Sequence, residues 1–143
     1  MLDNKILREY SRQRFFEIWQ NVCEGEGLEG EEKAIAAAMA EHKEYYDTWE
    51  MADNLADYEY DPETEVNPFF HITMHTIVEN QIAMNTPKEV AMTLEKLMTK
   101  GESRHEAVHE IGAALSEEIF TMTKRKRPFD ESRYAKSLKR LTY

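Results

Sequence analysis

Cysteine occurs once in the 143 residues, at Cys23, so no internal disulfide framework can staple the chain, and a single thiol fits a reducing compartment. Long apolar runs are missing too. The longest, Ala34 to Ala40, falls far short of the roughly 20 residues that a membrane span needs. The opening Met1-Leu2-Asp3-Asn4-Lys5 leads into no apolar signal core. A soluble, unexported, cytoplasmic protein with no membrane partner is the expectation. Glycine (five) and proline (four) are scarce, and neither an internal repeat nor a low-complexity segment is present. What fills the chain instead is Glu, Lys, Ala, Leu and Met, residues that favour helix. The composition therefore predicts an all-α fold. At this length it is one domain, residues 1–143, large enough to bury about two-thirds of its unfolded surface.

Charge is divided unevenly along the chain. The net charge is −10, yet residues 124–143 hold eight Lys/Arg against two acids, which leaves −16 for residues 1–123. Between Glu41 and Glu65 ten acids face one base, Lys43. Such a surface repels free nucleic acid and argues against it as a partner, the run Lys124-Arg125-Lys126-Arg127 being the one exception. The acidic segment and the basic tail are expected to attract each other, within one molecule or between subunits of a homo-oligomer.

Apolar spacing divides the chain into a bundle of five or six helices. The first spans Asp3 to Cys23, with Ile6, Leu7, Tyr10, Phe15, Phe16, Trp19 and Val22 on its apolar stripe. Gly25, Gly27 and Gly30 break it, and a second helix from near Glu31 carries Ile35, Ala38, Met39 and His42. The acidic stretch ends at Asp61-Pro62, and residues 54–66 read as a loop. A third helix covers Pro68 to Met84, with Asn67 as cap and Pro68 at the first helical position. Thr86, Pro87 and Glu89 form a capping box for a fourth helix, which turns Val90, Leu94, Leu97 and Met98 inward and stops at Gly101. Ser103 and Glu106 form another for the fifth, Arg104 to Lys124. Pro128 ends it, and Asp130 caps a basic C-terminal helix at about 130–141. The methionines at 39, 74, 84, 92, 98 and 122 read as core filling.

The stretch Asn67-Pro68-Phe69-Phe70-His71-Ile72-Thr73-Met74-His75-Thr76-Ile77-Val78-Glu79 organises the rest. On a helix His71, His75 and Glu79 share one face, since each four-residue step drifts by only about 40°. His105-Glu106-Ala107-Val108-His109 supplies a second pair at the same spacing, and His42 completes the five histidines. One step rises about 6 Å, which suits two ligands of one ion, whereas His71 to Glu79 rises about 12 Å. A single ion would use the two histidine pairs; all five groups together point to two ions, with Glu79 bridging or closing the second. Glu117 and His42 are further candidate ligands. Short connections make the third and fifth helices parallel, with His71 level with His105 and His75 level with His109. A lone pair of histidines is as readily a solvated stripe, but two pairs among five histidines favour metal. Imidazole with carboxylate suits iron or zinc, with manganese or nickel as further options.

The segments His42-Lys43-Glu44-Tyr45, Asn67-Pro68-Phe69-Phe70-His71, His75-Thr76-Ile77-Val78-Glu79-Asn80-Gln81 and His105-Glu106-Ala107-Val108-His109 resemble the bacterial family catalogued as domain of unknown function 1841. The resemblance runs from the Phe16/Trp19 region to Leu141 and implies no activity. A weaker, fold-level likeness is to hemerythrin-type and ferritin-like bundles, in which histidines and carboxylates on facing helices hold two irons.

Two functions from different classes follow. One is a metalloprotein with an ion or ion pair at His71, His75, Glu79, His105 and His109, handling oxygen, peroxide or a small substrate, or activating water. The other is a helical interaction module with a structural zinc or no metal. Only the first needs an open coordination position, and the sequence leaves enzymatic activity open.

Overall fold

In the computed structural model, which describes residues 4–61 and 63–143 and the side chains from residue 11 onward, all regular structure is helical. Asp3, Pro62 and the side chains of Ile6, Leu7 and Tyr10, used above, lie outside the described residues. The described residues form seven α-helices, α1 Asn4–Cys23, α2 Gly30–Glu41, α3 Tyr46–Glu50, α4 Pro68–Met84, α5 Lys88–Thr99, α6 Arg104–Arg125 and α7 Glu131–Arg140. Single 3-10 turns stand at Lys43–Tyr45 and Ala52–Leu55. The helix beyond the expected five or six is α3, a short turn anchored by Trp49, which is fully buried and donates its indole N–H to Met39 O at 3.2 Å. No helix among the described residues is long and apolar enough to cross a membrane.

The chain divides into two compact units, one ending at Thr73 and one beginning at Met74, so α4 contributes to both. The first unit is built on aromatic rings. Phe15, Trp49 and Phe69 meet pairwise with centroids 5.3–6.1 Å apart, and Ile18, Ile35, Met39 and Ile72 fill in around them. Each such side chain, taken out of water, stabilises the unit by about 1.5–3 kcal/mol. Arg12 is buried in this core. Its guanidinium stacks 4.3 Å from the Phe69 ring centroid, and Nη1 donates to Leu55 O at 2.6 Å and Tyr58 O at 3.1 Å. A cation on α1 thus ties down the start of the acidic loop, adding a charged donor to Leu55 O, which also accepts from Tyr58 N, and one to Tyr58 O.

The second unit is aliphatic. Val78, Val90, Leu97, Val108, Ile111, Leu115 and Leu138 are buried, together with Tyr134, whose hydroxyl donates to Gln81 Oε1 at 2.9 Å. α5, α6 and α7 pack against one another. Helix ends follow the expected chemistry in three places. Ser103 Oγ accepts from Glu106 N, Asp130 Oδ1 accepts from Arg133 N, and Gly101, at φ +107, lets Glu102 N reach back to Leu97 O. The start of α5 differs. Pro87 is its N-cap with no side-chain bond, and Thr86 Oγ1 turns back to Met84 O, so the capping box does not form. Met84, Met92 and Met98 are exposed, leaving core filling to Met39 and Met74.

Candidate metal centre

Asn67 starts α4 as its spacing implies, with Oδ1 accepting from Phe70 N at 3.1 Å and its carbonyl accepting from His71 N at 3.0 Å. That cap fixes the phase of the helix, and so the directions of His71 and His75, one turn apart. On α6 the Ser103 cap does the same for His105 and His109.

In the second unit three imidazoles converge. The ring centroid of His75 lies 5.3 Å from that of His105 and 4.5 Å from that of His109, and His105 and His109 are 4.4 Å apart. One nitrogen from each falls within 4.8 Å of the others. Two imidazoles on a tetrahedral ion stand about 3.3 Å apart, given metal–nitrogen bonds of about 2.0–2.1 Å. Small side-chain rotations therefore bring the three nitrogens onto one ion. His75 is buried and the other two are half-buried, so the ion would have a protein side and an open side.

α4 and α6 run antiparallel, not parallel as the connection lengths suggest. Met74 faces Gly112, His75 meets His109 and His105, and Glu79 meets Arg104. The parallel expectation required the chain to reverse fully at each of the two short connections; the α4–α6 contacts show one net reversal.

The first unit holds a different arrangement. His71, expected level with His105, approaches His42, Nε2 to Nε2, at 3.2 Å. His42 is fully buried, and its Nδ1 lies 2.7 Å from Ala38 O. A carbonyl can only accept, so Nδ1 carries the proton and the Nε2 lone pair faces His71. The separation suits a proton donated by His71 Nε2, and equally the edge between two ligands of one ion. Tyr45 packs on both rings, with centroids 5.9 Å from His42 and 6.0 Å from His71. Burial, and then the adjacent Glu44, push its hydroxyl pKa up, so it stays a neutral phenol.

The two carboxylates singled out in the sequence stand elsewhere. Both oxygens of Glu79 are held by Arg104, at 2.6 and 2.9 Å, in a bidentate pair. Glu117 is exposed on α6, two turns beyond His109, and lines a groove against α7. Among the described residues the group able to hold an ion contains histidines alone. Sequence reasoning missed Arg104 and the Ala38 carbonyl. Arg104 had a signal, since it directly precedes His105 and a carboxylate follows His75 by one turn. The carbonyl had none, because backbone acceptors look alike in sequence.

The chain belongs to the family described as Domain of unknown function (DUF1841), whose profile matches residues 7–140. No curated protein and no solved structure matches it.

Proposed function

We propose that the protein binds a divalent transition metal through His75, His105 and His109, with iron or zinc as the leading ions. The observation that carries this reading is the convergence of three imidazoles from two helices, with one nitrogen of each inside 4.8 Å. Three neutral nitrogens leave a fourth position for water or a small molecule, the pattern of catalytic rather than structural zinc sites. An ion bound there supplies Lewis acidity and lowers the pKa of a bound water, or binds oxygen or peroxide if it is iron. The chain's own part is positional. The Asn67 and Ser103 caps fix the helix phases, and the Arg104–Glu79 pair, beside His105 and one turn past His75, contributes no net charge. His42 and His71 add a two-nitrogen edge in the first unit, so metal content per chain distinguishes one ion from two.

Elemental analysis of untagged protein, followed by cobalt substitution, tests the reading. One or more ions per chain, with a visible spectrum that shifts on adding azide, is the expected result. Metal-free protein that takes up no zinc or iron would sink it. A bound ion indifferent to azide would assign the histidines to a closed, structural site instead.

A further inference from the structure

α6 and α7 enclose a groove of about 390 Å³ whose lining is polar and carries equal numbers of acids and bases. Its deepest charged group is Glu118. That side chain is 3 % exposed, its Oε2 lies 4.0 Å from Arg133 Nε, and its Oε1 has no hydrogen-bond partner. A buried carboxylate short of a donor is rare, because the fold has removed water from an oxygen and returned nothing. The other oxygen, Oε2, faces Arg133 on the groove wall. Along α7 the wall continues with Lys136 and Arg140, both exposed, which with Arg133 form one cationic stripe at helical spacing.

We propose that this groove binds an acidic α-amino acid. The Glu118 carboxylate takes the α-ammonium through Oε2, a charge-assisted contact for a carboxylate whose other oxygen has none. Arg133, with Nε 4.0 Å from Glu118 Oε2, takes the α-carboxylate. Lys136 lies about 4.5 Å further along the helix axis and takes the side-chain carboxylate. Glu117 and Asp130, which also line the groove, do not oppose this pose. Glu117 is exposed, and Asp130 Oδ1 is committed to capping α7 through Arg133 N. None of the metal-centre histidines lines the groove, so the proposal stands independently of the metal.

Isothermal titration of the full chain with L-glutamate and L-aspartate tests it, with glutarate, which lacks the ammonium, and L-lysine as controls. Saturable binding of an acidic amino acid is expected, with glutarate at least tenfold weaker because a charge-assisted contact is lost, and with no saturable heat from L-lysine. Lys136→Ala, at an exposed position, should keep the fold and weaken L-glutamate about tenfold. Glu118→Gln should narrow the gap between L-glutamate and glutarate. No saturable heat from either amino acid at about 10 mM, glutarate equal to L-glutamate in the unaltered protein, or full affinity in Lys136→Ala would each overturn the proposal.

Discussion

The two units hold histidines in opposite ways. In the first, His42 and His71 form a pair set by the backbone. One ring is fully buried, its tautomer is fixed by Ala38 O, and the two Nε2 atoms already stand at 3.2 Å. In the second, His75, His105 and His109 form a trio that is richer in ligands and looser, with rings 4.4–5.3 Å apart and two of the three half-buried. The pair has orientation without enough ligands for a tight ion, whereas the trio has enough ligands and must close around one. Coordination number decides affinity for a borderline ion, so the proposed ion belongs to the trio. The orientation of the pair matches the hydrogen-bonded support usually given to metal ligands, and it makes the pair the more rigid of the two.

The largest effect that can break this comparison comes from metal removal. An ion that binds only the folded chain adds RT ln(1 + [L]/Kd), about 4 kcal/mol at a thousandfold excess over Kd, so chelation should lower Tm by several degrees. His75→Ala and His109→Ala should each lose the ion and most of the chelator effect, while His42→Ala should retain it. The reverse order in metal content would move the ion to the pair. Because the imidazoles must be neutral to bind, affinity should also fall on acidification. Glu79→Gln should retain the ion, since both oxygens of Glu79 are already held by Arg104.

The next effect belongs to the first unit alone. Arg12→Leu removes a charged donor from Leu55 O, which keeps its bond from Tyr58 N, and from Tyr58 O, at a cost of about 3 kcal/mol. Hydrogen exchange should quicken in residues 52–60. Unchanged exchange there would mean that Arg12 acts as ring packing on Phe69 and not as a clasp.

In the second unit the matching polar anchor is Tyr134. Tyr134→Phe loses the bond to Gln81 and should cost about 1 kcal/mol at neutral pH. Burial raises the Tyr134 pKa in the fold, so its contribution is complete below the ordinary tyrosine value of 10.0 and is lost as pH rises toward the folded pKa. The stability of the variant should accordingly fall less steeply above that value, as denaturant midpoints over an alkaline series would reveal. Parallel curves for the two proteins would remove Tyr134 as the titrating group.

How much of this was legible in the sequence depends on whether the signal was local. Asn67-Pro68 gave the start of α4, Ser103 that of α6, and Asp130 that of α7, because a cap acts within three residues. The histidine spacing was legible for the same reason, and the matching pairs on α4 and α6 pointed to the contact between those helices. The direction of that pairing was not, since it depends on how fully the chain reverses at each short connection. The partner of His71 was hidden likewise, because it follows from the short helix and turns after His42, where Trp49 overrides a weakly periodic segment. Glu79 was read as a ligand from its spacing, although Arg104, directly before His105, was the signal that this carboxylate had a partner on another helix.

The smallest expected effect concerns the acidic approach to α6, just before its cap. The Glu102 carboxyl pKa is raised above its ordinary 4.5, first by desolvation, then by a side-chain hydrogen bond with Glu110 and by repulsion from Glu110 and Glu106, with Lys100 opposing. A carboxyl that holds its proton more tightly in the fold contributes stability that is present below 4.5 and is lost as pH rises through the folded pKa. Glu102→Gln keeps a donor toward Glu110 at every pH, so it should leave Tm unchanged near pH 4 and raise it slightly near pH 7. The competing force is the positive end of α6, which favours a carboxylate beside the cap. Glu106 already occupies the first turn, so a second carboxylate there meets a like charge before it meets the helix. Calorimetry at the two pH values decides between them. A lower Tm for Glu102→Gln at pH 7 would show that the helix terminus outweighs the crowding of three carboxylates.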